Sequence, residues 1–212
     1  MSGVTQDRPI GVFALQGDFA RHCEAWRALG VPVREVRRPA DLDGLAALSL
    51  PGGESTTMLR LLGVTGLRDA FGAALARLPV FATCAGAILV GKDATGLPAP
   101  PFGVLDAGIA RNAYGTQLDS FEADLEAPVL GPGATFRGVF IRAPRFLKLG
   151  PGVETIARHG GETVAVRQGA IAAFAFHPEL TDDLAFHRWF LATIVATHPV
   201  EAKAAAPRPA VA

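Results

Sequence analysis

Ile10-Gly11-Val12-Phe13-Ala14-Leu15 is apolar from end to end. A strand with no polar face must be covered on both sides, the situation of a central strand in a parallel sheet flanked by helices. The residues that follow fit that position. Gln16-Gly17-Asp18 turns the chain and offers Asp18 as a helix cap. Phe19, Cys23, Trp26 and Leu29 then recur at helical spacing, so Cys23 is expected to pack inward, and Gly30 ends the helix. Residues 31–36 alternate apolar and polar, as in a strand nearer the sheet edge. A short helical turn over 39–43 leads to a third strand over 45–50. This alternation predicts a right-handed parallel α/β sheet.

The same unit recurs further on. Helices are expected over 56–62, with Ser55 as its cap, and over 66–78. A buried strand over 80–83 then runs into a helix over 85–90. Residues 93–102 hold a glycine and three prolines and read as a loop between elements of one sheet. From 103 to 168 the pattern changes to short strands, at 107–111, 135–142, 153–157 and 163–167, with no long helices between them. That predicts an antiparallel extension of the parallel sheet. A last buried strand over 171–176 precedes a helix over 184–197. The fold class expected is therefore a three-layer α/β arrangement, a central mostly parallel sheet with helices on both faces and an antiparallel extension. The chain divides into a flexible N-terminus over 1–9, one domain over 10–198, and an Ala/Pro-rich tail over 199–212.

Composition narrows the function. Twenty Lys and Arg balance twenty Asp and Glu, so nothing points to nucleic acid or an anionic membrane surface. No apolar run approaches the ~20 residues of a transmembrane helix, and the polar start lacks a signal-peptide core. Two cysteines are too few for a disulfide framework, and a cytoplasmic location is expected.

Three strand ends carry the chemistry. Cys84 joins strand to helix among the small residues Ala82, Ala85 and Gly86, the layout of a nucleophile elbow. It also sits at a helix N-terminus, whose partial positive charge favours an anion. Pro51-Gly52-Gly53-Glu54 ends the third strand, where adjacent glycines let backbone N–H groups turn toward a ligand. His177-Pro178-Glu179 ends the last strand. Pro178 keeps His177 extended, so His177 and Glu179 face the same side and can touch. Cys84 as nucleophile, His177 as base and then acid, and Glu179 as its orienter make a triad for acyl transfer. The N–H groups of Ala85 and of Gly53 in the glycine loop would be the oxyanion donors. Arg111 and Arg142 are either solvated charges or holders of a carboxylate. His22, His187 and His198 have no evident partner in the sequence.

These motifs resemble the class I, triad-type glutamine amidotransferases. Within that group the chain is similar to the glutaminase subunits of pyridoxal 5′-phosphate synthase. The narrower likeness rests on Leu15-Gln16-Gly17, Pro51-Gly52-Gly53-Glu54-Ser55-Thr56-Thr57, Thr83-Cys84-Ala85-Gly86, the run from Arg111-Asn112 through Asp119-Ser120-Phe121-Glu122, Phe140-Ile141-Arg142-Ala143-Pro144, and Phe176-His177-Pro178-Glu179-Leu180-Thr181. One departure is Ala82, where the family usually has glycine. The resemblance implies hydrolysis of L-glutamine to glutamate and ammonia, with the ammonia passed to a separate synthase subunit. It implies glutamine contacts from Gly52, Gly53, Glu54, Arg111, Ile141 and Arg142, and no metal or organic cofactor. The alternatives are the glutaminase of imidazole-glycerol-phosphate synthase, which should lack the two arginine-bearing stretches, and an inactive synthase-binding module, against which the complete triad argues.

Overall fold

The computed structural model describes residues 8–111 and 120–198. The expected flexible N-terminus falls partly, and the tail and Asn112–Asp119 of the Arg111 motif wholly, outside these residues. Arg8 and Pro9 are tied to the domain. Arg8 donates to the carbonyls of Gly44 and Leu45, and the Pro9 carbonyl accepts from the Ala46 N–H.

The parallel half follows the apolar runs. β1 (Ile10–Phe13), β3 (Ala47–Leu50), β4 (Val80–Thr83) and β12 (Ile171–Phe174) are buried throughout, while β2 (Val33–Val36) lies half exposed at the edge. The antiparallel half comprises β7 (Ser120–Glu126), β8 (Thr135–Ile141), β10 (Glu154–His159) and β11 (Glu162–Gln168). Among the described residues these nine strands form one sheet in the order β2-β1-β3-β4-β12-β11-β10-β7-β8. The first five pair parallel and the remainder antiparallel.

The helices are α1 (Phe19–Ala28), α2 (Ser55–Val64), α3 (Arg68–Leu75), α4 (Ala85–Val90) and α5 (Ala185–Phe190), the last continuing into a π-helical turn over Leu191–Val195. Strand periodicity sorts the core between two faces. Phe81 of β4 joins Trp26, Phe174, Phe186 and Phe190 on one side, and Val80 and Ala82 join Phe13, Leu48 and Phe71 on the other.

Four expectations need correction. Residues 93–102 do not link parts of the main sheet. β5 (Gly91–Asp93), β6 (Leu105–Ala110) and β9 (Arg145–Leu149) form a separate three-stranded sheet, which takes the strand expected at 107–111 away from the main one. β7 is a strand where none was expected: Phe121, Ala123 and Leu125 alternate with Glu122, Asp124 and Glu126, so its acids share the exposed face. β9 is half exposed and lacks the alternation that marks strands. Neither Asp18 nor Ser55 caps a helix through its side chain: Asp18 stands exposed before α1, and Ser55 is the buried first residue of α2, preceded by Glu54.

Two close approaches shape the site. α4 enters against the end of β3, where a Cβ on Gly86 would strike the Leu50 carbonyl and stand 2.8 Å from Leu50 Cβ. The antiparallel half curls back on itself: β8 is the edge strand by pairing order, yet its Val139 carbonyl accepts from the His177 N–H at 2.8 Å. That closure carries the end of β8 to the end of β12. Ala82 is fully buried without a positive φ, so its methyl group is accommodated. Gly86→Ala should cost about 1–3 kcal/mol by overpacking against Leu50. Chemical denaturation measures this, and an unchanged midpoint would contradict the packing described.

Candidate active site

Cys84 stands between β4 and α4 with φ 46° and ψ −105°, a conformation that non-glycine residues rarely adopt. Such strain costs on the order of 1–3 kcal/mol and persists only where neighbours enforce it. Here the Cys84 N–H donates to the Phe174 carbonyl at 2.8 Å, and the Cys84 carbonyl accepts from the Ile88 N–H at 3.2 Å. The result is a thiol held above the sheet edge. Its Sγ is turned to the Ile141 carbonyl, 3.7 Å away.

A cleft of about 210 Å³ opens over this thiol. That is smaller than the ~300–1,000 Å³ of sites for drug-sized ligands, and it suits a small substrate. Gly52, Gly53, Glu54, Cys84, Arg111, Ile141, Arg142 and His177 all line it, so loops from separated parts of the sequence meet there. Of the residues singled out in the sequence, Ala85 lies at the start of α4 and Glu179 lies behind His177, away from the cleft wall. Asp18, Ser55, Ile88 and Leu180 also line it and were not singled out as site residues.

The glycine loop fits tightly. A Cβ on Gly52 would collide with the His177 ring and come 3.2 Å from Cys84 Cβ. Gly53 has φ +146°, and a Cβ there would meet Gln16 Oε1 at 2.6 Å and Gly17 Cα at 2.8 Å. Gln16 Oε1 accepts from the Glu54 N–H at 2.9 Å, and the Gly52 carbonyl accepts from the Asp18 N–H at 3.4 Å. Because this peptide is trans, the Gly53 N–H points away from the 17–18 loop. Opposite it, Arg142 forms an ion pair with Glu54, both side chains partly exposed, and holds φ 42°. Arg111 donates to the Gly96 carbonyl at 2.8 Å while lining the cleft.

His177 Nδ1 and Glu179 Oε1 are 2.8 Å apart, as the His-Pro-Glu spacing predicts. His177 Nε2 is buried without a protein hydrogen-bond partner. Burial alone would lower the imidazole pKa. The Glu179 carboxylate, with Cys84 beside the ring, outweighs burial and raises it to about 10. Burial would likewise push the Glu179 carboxyl up, but the His22 and His177 rings facing it hold it well below the usual carboxylate range.

Sequence reasoning missed what stands behind Glu179. His22 Nε2 lies 3.2 Å from Glu179 Oε1, and the Thr83 hydroxyl donates to the same oxygen at 3.2 Å. His22 Nδ1 lies 2.9 Å from Ser49 Oγ, which also accepts from Trp26 Nε1 at 3.1 Å. Two signals were available: a serine inside the buried run 45–50, and a histidine four residues before Trp26 on the same helix face. His187 is also buried, with both ring nitrogens unpartnered and its ring packed on Trp26 and Phe81. Burial pushes its pKa down to about 3. His198 Nε2 meets the Arg77 carbonyl at 3.1 Å. Cys23 packs inward as expected.

The site's pH dependence follows from these shifts. Glu179, with its pKa lowered on folding, stabilises the fold above its unfolded pKa of about 4.5 and ceases to as pH falls through its lower folded value. His177, raised to about 10, stabilises it fully below about 6.5 and ceases to as pH rises toward 10. The stability lost in Glu179→Gln should therefore be greatest between about pH 5 and 6.5 and shrink on either side. Urea denaturation of both proteins across pH measures this, and a pH-independent difference would contradict an ionised Glu179–His177 pair.

The pattern that defines the SNO glutamine amidotransferase family matches residues 12–196. The pyridoxal 5′-phosphate synthase subunit PdxT of a Thermus thermophilus strain is 52% identical over 185 residues, covering 86% of this chain and 95% of that protein. The subunit of the same name from Thermotoga maritima is 47% identical over 183 residues, covering 86% and 97%. A crystal structure of a glutamine amidotransferase superposes with a TM-score of 0.81 at 49% identity, over 92% of this chain and 100% of that one. PurLQS from Thermotoga maritima, at 14% identity and a TM-score of 0.62, covers 87% of this chain and 98% of its own and shares the fold.

Proposed function

Since the chain belongs to the SNO glutamine amidotransferase family, we propose that its cleft hydrolyses L-glutamine with Cys84, His177 and Glu179 as the catalytic residues. The protein is the glutaminase subunit of a pyridoxal 5′-phosphate synthase and delivers ammonia to a synthase subunit. The observation that carries the residue assignment is the strained Cys84 elbow sharing one cleft with a histidine that a buried carboxylate orients.

The chemistry follows from the geometry. Glutamine carries an ammonium and a carboxylate on one carbon. The Glu54–Arg142 pair at the cleft wall presents the complementary charges side by side, with Arg111 as a second cation. Gly52, Gly53 and the end of β8 at Ile141 bound the channel for the side-chain amide. The Cys84 sulfur adds to the amide carbon, and the Ala85 and Gly53 N–H groups take the oxyanion. His177, holding the thiol's proton, gives it to the departing nitrogen, leaving a γ-glutamyl thioester and free ammonia. It then takes a proton from water, whose oxygen displaces the sulfur to release glutamate. Glu179 keeps one ring nitrogen of His177 occupied so that Nε2 faces the reaction. Among the described residues no helix is long and apolar enough to cross a membrane, and we place the protein in the cytoplasm, where a free thiol nucleophile persists.

Two outcomes test this reading. Cys84→Ala should abolish ammonia release and labelling by glutamine-like electrophiles while leaving the fold intact, since alanine fits among Ala82, Ala85 and Gly86. Hydrolysis at the parent rate would refute the nucleophile. The isolated subunit should also be slow, because its thiol rests on the Ile141 carbonyl, and adjacent glycines let the peptide bearing the Gly53 N–H reorient at little steric cost once its bond to the Asp18 N–H opens. Titrating in the synthase subunit at saturating glutamine should raise kcat ten-fold or more, given that one oxyanion donor is worth roughly 10²–10³ in rate. Full activity alone, unchanged by the partner, would refute the coupling and leave the triad standing.

A further inference from the structure

The Glu179 carboxylate is fully buried, and three donors converge on one of its oxygens: His177 Nδ1, the Thr83 hydroxyl and His22 Nε2. One of them, His22, belongs to no motif recognised in the sequence. One polarity runs through them unbroken from the far end. An indole N–H can only donate, so Trp26 Nε1 donates to Ser49 Oγ at 3.1 Å. Ser49 then has its own proton free for His22 Nδ1, 2.9 Å away. A neutral imidazole that accepts at Nδ1 carries its proton on Nε2, and that nitrogen faces both Glu179 Oε1 and Thr83 Oγ1 at 3.2 Å. Thr83, accepting from His22, passes its proton to the same Glu179 oxygen. Every bond in the series points toward the carboxylate.

We propose that His22 is a positioning residue for glutamine hydrolysis, fixed as its Nε2–H tautomer by Trp26 and Ser49, and that it holds Glu179 ionised and aimed at His177. This rests on the glutaminase reading above. His22 touches neither the cleft nor Cys84 and acts only through Glu179. The titratable groups that face it are Glu179 and His177 from the end of β12 and the buried His187 of α5. His187 has no partner for either ring nitrogen and supplies no proton to the series. Hydrogen bonds to a buried carboxylate favour its charged form, and one donor to a charged group is typically worth about 10–100-fold in an equilibrium.

The test compares His22→Leu, His22→Gln and Ser49→Ala with the parent. Glutamine turnover is measured with the synthase subunit present, and alkylation of Cys84 by iodoacetamide is followed as a function of pH. Losing the His22 donor should let Glu179 protonate at higher pH. The acid limbs of kcat and of Cys84 alkylation should then both move to higher pH in His22→Leu. Its kcat should fall about 10–100-fold with KM little changed. Gln places an amide N–H near the Nε2 position and should restore most of the loss. Ser49→Ala, which frees the tautomer but keeps the ring, should shift both limbs in the same direction by less, and it decides the matter if His22→Leu does not fold. A loss of rate with no movement of either limb, as from packing alone, would overturn the proposal. So would a His22→Gln protein as impaired as His22→Leu. If the alkylation limb moves but the parent complex releases no ammonia from glutamine, the positioning role stands and the glutaminase reading falls.

Discussion

The site depends on keeping one carboxylate ionised where no water reaches it. Burying an ion costs several kcal/mol unless hydrogen bonds and opposing charge offset it. Glu179 meets that cost with three donors on Oε1, while Oε2 is buried without a protein partner. Hydrogen bonds to a charged group contribute about 1.5–3 kcal/mol each. Losing any of them therefore touches both stability and the state of His177. The surrounding aromatic cluster of Trp26, Phe81, Phe174 and His187 keeps the medium dry and the interaction strong.

The fold supplies the geometry through strand ends. β3 delivers Gly52 and Gly53, β4 delivers Cys84, and β12 delivers His177, all at the carboxyl edge of one parallel sheet, where α/β proteins bind ligands. β8 reaches the same place from the other half. The hydrogen bond from His177 N–H to the Val139 carbonyl ties the curled extension to the triad and sets the Ile141 carbonyl against the thiol. The alternation of side chains along β3 and β4 also matters. Ser49 and Thr83 project to the α1 face, so the polar series passes through the sheet's own residues.

Local patterns made much of this legible. Continuous apolar runs marked the four buried strands, small residues around Cys84 marked the elbow, and the two-residue spacing in His-Pro-Glu anticipated a contact of 2.8 Å. Partly buried strands were legible at β2, β8, β10 and β11, and two others were not. β7 alternates strictly, with Phe121, Ala123 and Leu125 turned inward between exposed polar residues, but it begins inside the polar run that follows Arg111, which reads as too polar for a core segment; β9 is exposed along much of its length and does not alternate. The separate three-stranded sheet depends on long-range pairing of β6 with β9, which short-range periodicity does not encode. The Trp26–Ser49–His22 series was hidden for another reason. Each member looked ordinary in its own element, and only packing α1 on β3 and β4 brings them to one carboxylate.

The account is tested most directly by following the ring nitrogens of His177 in ¹⁵N-histidine-labelled protein by NMR across pH, in the parent and in Glu179→Gln. It predicts a His177 that stays protonated through neutral pH and titrates near 10 in the parent, then falls toward about 6.5 once the carboxylate is gone. A parent His177 that titrates near 6.5, unmoved by Glu179→Gln, would contradict it.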